Sequence, residues 1–243
     1  MIKDIARTLA GVTLMGIALA TAGCEATPMS IDGHKGVPLS QLDMGGTPPD
    51  EITLLGPDTV RIVPGDVLAI TVEGDPLLKE HLRFVRHEGK LGIGRDGGTW
   101  AGTATINVTV PAARRLILAG SGTIQADVLK GDDVGVTIAG SGDVNAAQVE
   151  AKDLKVEVLG SGTLKAAGRT DALKLTLAGS GDALMPGLAV GDAKVDVAGS
   201  GSANFASDGN VKASIMGSGE VRVKGRATCK VSAMGSGKLV CEP

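Results

Sequence analysis

Apolar residues recur at fixed offsets around one tripeptide. Gly-Ser-Gly begins at Gly120, Gly140, Gly160, Gly179, Gly199, Gly217 and Gly235, in steps of 18–20 residues. Four and two residues before each start lie pairs such as Leu116/Leu118, Val136/Ile138, Val156/Val158, Leu175/Leu177 and Val195/Val197. Four and six residues after it the pattern returns as Ile124/Ala126, Val144/Ala146, Leu164/Ala166, Val221/Val223 and Leu239/Cys241. Alternation of this kind is that of a strand with one buried face. Each repeat is therefore strand, Gly-Ser-Gly corner, strand and a variable loop. Glycine suits a corner stacked on copies of itself, where a Cβ has no room and positive φ is needed. A flexible Gly/Ser linker would lack the regular apolar flanks.

One strand pair cannot bury its apolar side, but stacked copies can, each coil bonding to the next at about 4.8 Å. The pattern predicts an all-β, single-stranded parallel β-helix over 51–243, its narrow lumen filled by Val, Leu, Ile and Ala. Parallel crossovers are right-handed as a rule, and that hand is expected here. The first coils are less regular. Ile52 and Leu54 precede Gly56-Pro57-Asp58, and Val60 and Ile62 follow it, matching the corner offsets. Leu68, Ile70 and Val72 precede Gly74, and Ile106, Val108 and Val110 alternate before Pro111. Residues 75–103 are the least periodic part, with a turn expected at Glu88-Gly89 between Leu82/Phe84 and Leu91/Ile93. Nine or ten coils of 18–20 residues result.

Upstream of the repeats the pattern changes. Lys3 and Arg7 precede an apolar run from Leu9 to Ala22, shorter than a membrane span, followed by small residues. Residues 1–23 read as a secretory signal peptide. Ala20-Thr21-Ala22 offers an ordinary cleavage site, whereas Thr21-Ala22-Gly23-Cys24 resembles a lipobox that would leave Cys24 lipidated. Residues 24–50, with four prolines and four glycines, read as a tether or irregular lead-in.

The cysteines bear on that choice. Cys229 lies six residues before Gly235 and Cys241 six after it, both on inward positions of the last coil. Facing strands about 10 Å apart must close to within roughly 7 Å for a disulfide, so the coil has to flatten there, and Ala233 is small enough to allow it. A Cys229–Cys241 bridge would staple the open end, where an unpaired strand edge otherwise invites another chain. Cys24 is then left over, and lipidation accounts for it. The expectation is an exported protein of the periplasm or outer membrane, held by a lipid at Cys24.

Chemistry is sparse. The histidines are His34, His81 and His87, and no metal-ligand or nucleophile motif accompanies them. His34 reads as solvated, and His81 and His87 as part of a charged outer face. Gly-Ser-Gly-Asp occurs at 140–143 and 179–182 only, too rarely for a calcium repeat. No cofactor is implied. Aromatic residues are limited to Phe84, Trp100 and Phe205. This composition argues against a sugar-stacking platform and, with export, against nucleic acid. One outward row stands out. Five residues before each corner are Arg115, Gly135, Lys155, Lys174, Lys194, Lys212 and Lys230, in a chain of net charge −3. Stacked like charges repel. The row either keeps a sheet face soluble, with Glu157 and Asp196 two positions along offsetting some repulsion, or forms a stripe for an anionic partner such as lipopolysaccharide or acidic glycan. The leading functional reading is a non-enzymatic envelope protein that binds or scaffolds. A glycan-processing β-helix enzyme is the alternative.

The repeated Leu/Val-x-Gly-Ser-Gly-x-Val/Leu units from Leu118 to Leu239 resemble the "Putative auto-transporter adhesin, head GIN domain" family. Leu54-Leu55-Gly56-Pro57 and Gly89-Lys90-Leu91-Gly92-Ile93 extend the similarity over roughly 44–241. The ending, Cys229 through Gly-Ser-Gly to Cys241, is similar to that of alphaproteobacterial members. The resemblance implies an exported, often lipid-anchored β-helix and brings no catalytic residues.

Overall fold

A computed structural model describes residues 29–98 and 101–243. The proposed signal peptide, Cys24 and Trp100 lie outside the described residues. The chain is a β-solenoid of about six turns, fewer than the nine or ten coils counted from sequence. The complete turns run between the Gly120 and Gly235 corners, and the N-terminal end adds strand pairs rather than whole coils.

The chain opens with a small antiparallel pair, β1 (Ser30–Ile31) and β2 (His34–Lys35). β3 (Glu51–Leu55) and β4 (Thr59–Pro64) flank the Gly56-Pro57-Asp58 corner. β5 (Ala69–Glu73) leads to a short helix, Pro76–His81, absent from the sequence-based reading. That helix starts where it does because the Asp75 carboxylate accepts from the Leu77 N–H at 2.8 Å and Pro76 supplies a helical φ. β6 (Leu82–His87), β7 (Lys90–Arg95) and β8 (Thr105–Val110) follow.

The levels do not stack in chain order here. β3 pairs in parallel with both β7 and β9 (Arg115–Gly120). β4 likewise lies between β8 and β10 (Thr123–Gly140). The β7/β8 level, later in sequence, is thus placed outside the β3/β4 level. β6 and β5 close the outer edge by antiparallel pairing to β7 and β8, and Val37 bridges Phe84 of β6 in turn. So the described part of the lead-in is docked: Met29 is buried, and its carbonyl accepts from the Gly36 N–H.

A buried ion pair holds the displaced level in place. Asp58 is fully buried, and its carboxylate accepts from Arg95 Nε at 2.8 Å and from the Ala104 N–H at 2.7 Å. Arg95 also donates to the Gly102 carbonyl at 2.9 Å. One carboxylate therefore ties the first corner to both ends of the long connection between β7 and β8.

From β10 onward the winding is regular through β11 (Asp143–Gly160), β12 (Thr163–Gly179) and β13 (Asp182–Gly199). β10 meets β11 along 123–126, 128–131 and 133–140. The middle stretch, read from sequence as a variable loop, is a third paired side. Its inward positions are few and vary in type, from Leu129 and Val149 to buried Thr170 and then Leu188 with Val190, so alternation cannot reveal it. Its pairing lapses in the last turns, where β14 (Ser202–Ser207), β15 (Asn210–Gly217), β16 (Glu220–Lys224), β17 (Thr228–Gly235) and β18 (Lys238–Glu242) are separate strands.

At each corner the first glycine has φ of +114° to +131°, as at Gly140 (+129°). A Cβ on Gly140 would lie 2.4 Å from the Gly120 carbonyl oxygen of the preceding level. The serine between the glycines contributes its backbone. Ser141 N–H donates to that same carbonyl at 3.0 Å, and Ser161 repeats the bond one level on.

Cys229 and Cys241 form a disulfide with Cα atoms 6.8 Å apart. They continue the inward columns below Val211 and Val223. Closing a loop of 12 residues contributes up to about 3 kcal/mol. Cys229→Ser with Cys241→Ser is expected to loosen the last turn alone, seen as faster amide exchange confined to 225–242 with β10 to β12 unchanged.

Candidate functional site

The sheet face running into the corners is flat and has three outward rows. The basic row is in register throughout: Gly135 pairs with Arg115 and Lys155, then Lys155 with Lys174, Lys174 with Lys194, Lys194 with Lys212 and Lys212 with Lys230. All six cationic residues are exposed. Strand pairing sets the rungs about 4.8 Å apart.

The rungs are not equivalent. Lys155 Nζ lies 3.0 Å from the Glu157 carboxylate, and Lys194 Nζ 3.6 Å from that of Asp196. At the N-terminal end Arg115 is 3.2 Å from Glu51, whose column neighbours are Arg115 and Lys90. Arg115 thus belongs to an alternating-charge patch, set off from the lysines by Gly135. Lys174, Lys212 and Lys230 have Thr176, Ser214 and Ser232 where the paired rungs have acids, and make no ion pair among the described residues. From Lys155 to Lys212, rungs in an ion pair alternate with rungs outside one, Lys174 and Lys212 standing two levels, about 10 Å, apart, with Lys212 in the field of Asp192. Beside the hydroxyl row runs an apolar one, in which Leu159, Met216 and Met234 are exposed.

On other surfaces several charges are paired within the chain. After the corners, Asp182 accepts from the Ser202 N–H at 2.9 Å. Glu220 is held below the usual carboxylate range, first by the Arg222 guanidinium at 2.6 Å and then by Lys238 at 3.3 Å. A groove of about 410 Å³ on the third side is lined by the ion pairs Lys130–Glu150 (2.9 Å) and Lys152–Asp132 (3.1 Å). Hydrogen bonds from Lys130 and then Gln148 lower the Glu150 pKa.

His34, read as solvated, is exposed, and His81 and His87, read as part of a charged outer face, are half-buried. His34 stacks on His87 with ring centroids 3.8 Å apart, in a hollow of about 490 Å³ between the lead-in and β6. His81 Nδ1 lies 3.0 Å from the Asp96 carboxylate. Topology makes both contacts, since neither pair is close in sequence. Among the described residues no group of three His, Cys, Asp or Glu could hold a metal ion, and no helix is long and apolar enough to cross a membrane.

The profile of the "Putative auto-transporter adhesin, head GIN domain" family matches residues 48–227. The chain belongs to the head GIN domain family. Crystal structures share this head GIN fold at identities that speak to fold alone. A "putative adhesin" from Bacteroides fragilis NCTC 9343 aligns with TM-score 0.72 and 16% identity, over 81% of this chain and 93% of that one. A "putative lipid binding protein" from Parabacteroides distasonis ATCC 8503 gives 0.64 and 21%, over 81% and 93%. A "putative adhesin" from Parabacteroides merdae ATCC 43184 gives 0.63 and 20%, over 81% and 92%. No curated protein sequence matches the chain.

Proposed function

We propose that this head GIN protein is a non-enzymatic, adhesin-like component of the cell envelope, lipid-anchored at Cys24, whose lysine ladder binds a repeating anionic ligand. The ligand is a phosphate- or carboxylate-bearing chain, either lipopolysaccharide or an acidic glycan. The observation that carries this reading is the in-register column in which Lys174 and Lys212 make no ion pair among the described residues while Lys155 and Lys194 each hold an acid. Rungs already offset by an acid have little field left for a ligand. The free ones keep theirs, and several weak contacts along one rigid face add up through effective concentration.

Lys174→Gln with Lys212→Gln is expected to weaken binding to lipopolysaccharide vesicles, or to a soluble acidic polysaccharide, roughly 5- to 30-fold at low salt, at about 0.5–1 kcal/mol per contact. Lys155→Gln with Lys194→Gln should cost less, and the contrast should fade as salt shortens the screening length. Binding to vesicles alone identifies the lipid-borne ligand, and binding to the soluble chain alone identifies the glycan. Equal binding by wild type and Lys174→Gln/Lys212→Gln would overturn the ladder as the site. Palmitate labelling and fractionation, lost in Cys24→Ser, test the anchor.

A further inference from the structure

The two ends of the solenoid are built differently. At the N-terminal end antiparallel β6 and β5 lie on β7 and β8, and the lead-in bridges β6 at Val37–Phe84; β5 keeps an open edge, but its inward Ile70 is buried. At the C-terminal end, β17 and β18 each pair with one neighbour only, β15 and β16, leaving their outer edges unbonded. Residues that point into the lumen are open to solvent there. Val231 is 53% exposed, whereas Ala213, its neighbour one level inward, is 3% exposed. Ala233 and Cys241 are exposed as well, while Ile215 and Val223 beneath them are buried. An unpaired strand edge over an uncovered apolar lumen is a template for another chain.

We infer that the C-terminal end is a self-association surface. Two copies stack end to end about a two-fold axis through Ser236 at the last corner, and β17 of each copy pairs antiparallel with β18 of the other. The choice of a second copy rests on register. Because β17 runs into the corner and β18 runs out of it, rotation about the corner lays β17 over the partner's β18 in the antiparallel sense. Residues equidistant from Ser236 then meet. Leu239 falls on Ala233 and Cys241 on Val231, so all four lumen-facing positions remain lumen-facing. A shift of one residue would turn them outward. On the outside the same register places Glu242 opposite Lys230; within one chain Glu242 lies beside Lys224 and in the field of Arg222, and neither Glu242 nor Lys230 makes a close ion pair among the described residues. An isologous contact needs such self-complementarity. The Cys229–Cys241 disulfide holds the two edges as one ledge, already in the shape that the partner meets.

Sedimentation equilibrium of the mature chain, with Cys24→Ser to remove the anchor, tests this. The expected result is a reversible monomer–dimer equilibrium. Glu242→Lys and Lys230→Glu should each raise the dimer dissociation constant at least about 5-fold, and the double exchange should restore it, as for opposed charges across a strand pair. Val231→Lys, which puts a charge on the lumen end, should leave monomer only. Circular dichroism and the intact disulfide mass verify that each variant is folded. A chain monomeric at about 100 µM, an open-ended polymer, or a double exchange no better than its single parents would each overturn the proposal.

Discussion

Asp58→Ala is expected to destabilise the protein by about 3–5 kcal/mol, because it leaves the Arg95 guanidinium buried without its carboxylate. In a chain of this size that is a fall of roughly 10 °C in Tm. The damage should be local first. The Asp58 carboxylate also accepts from the Ala104 N–H, so its loss frees the entry to β8. Amide exchange should accelerate across 102–110 before the turns beyond β10 respond. Adding Arg95→Met should recover part of the loss, since removing both charges of a buried pair costs less than stranding one. A single variant as stable as wild type would mean that the corner is held by packing alone.

The second large effect lies at the glycine corners. Gly140→Ala meets two penalties, a φ of +129° and a Cβ 2.4 Å from the Gly120 carbonyl oxygen. Together they are expected to cost about 3 kcal/mol or more. Gly56 provides the comparison. Its φ is +125°, but a Cβ there has nothing within 4 Å, because the level outside it turns through a longer connection with no glycine stacked on Gly56. Gly56→Ala should therefore cost only the conformational term, about 1–3 kcal/mol. Urea unfolding of the two variants measures the difference. Equal costs would show that the carbonyl stack gives way freely.

Much of this was legible in the sequence because it was written in offsets from one tripeptide. Leu116 and Leu118, Ile124 and Ala126, the lysine column, and the two cysteines are all counted from a corner, and a stacked repeat turns equal offsets into spatial columns. What escaped has no such ruler. Residues 51–64 carry the same pattern whichever levels flank them, so their lodging between 90–110 and 115–126 left no mark. The helix Pro76–His81 had a start signal, Asp75-Pro76, but six residues are too few to show a helical period. The third side of the coil offers few inward positions, and Thr170 or glycine stands at some of them. His34 and His87 meet only because the lead-in folds back over β6. The open rungs were half legible: Glu157 and Asp196 stood two positions along in the sequence, but only the side-chain distances divide the ladder into paired and free lysines.

The displaced β7/β8 level also bears on how the chain comes to fold. Residues 51–64 lie between two levels, both made from later sequence. A chain that folds from its N-terminus as it emerges cannot complete that sandwich until about residue 126 is available. Until then its early strands have at most one side paired, to β7 and β8. Past that point each further turn lays down on a finished surface and needs only contacts with the turn before it. The entropic cost of bringing distant segments together is concentrated at the start of folding, and the seven Gly-Ser-Gly corners are the inexpensive continuation of a template set by one buried carboxylate.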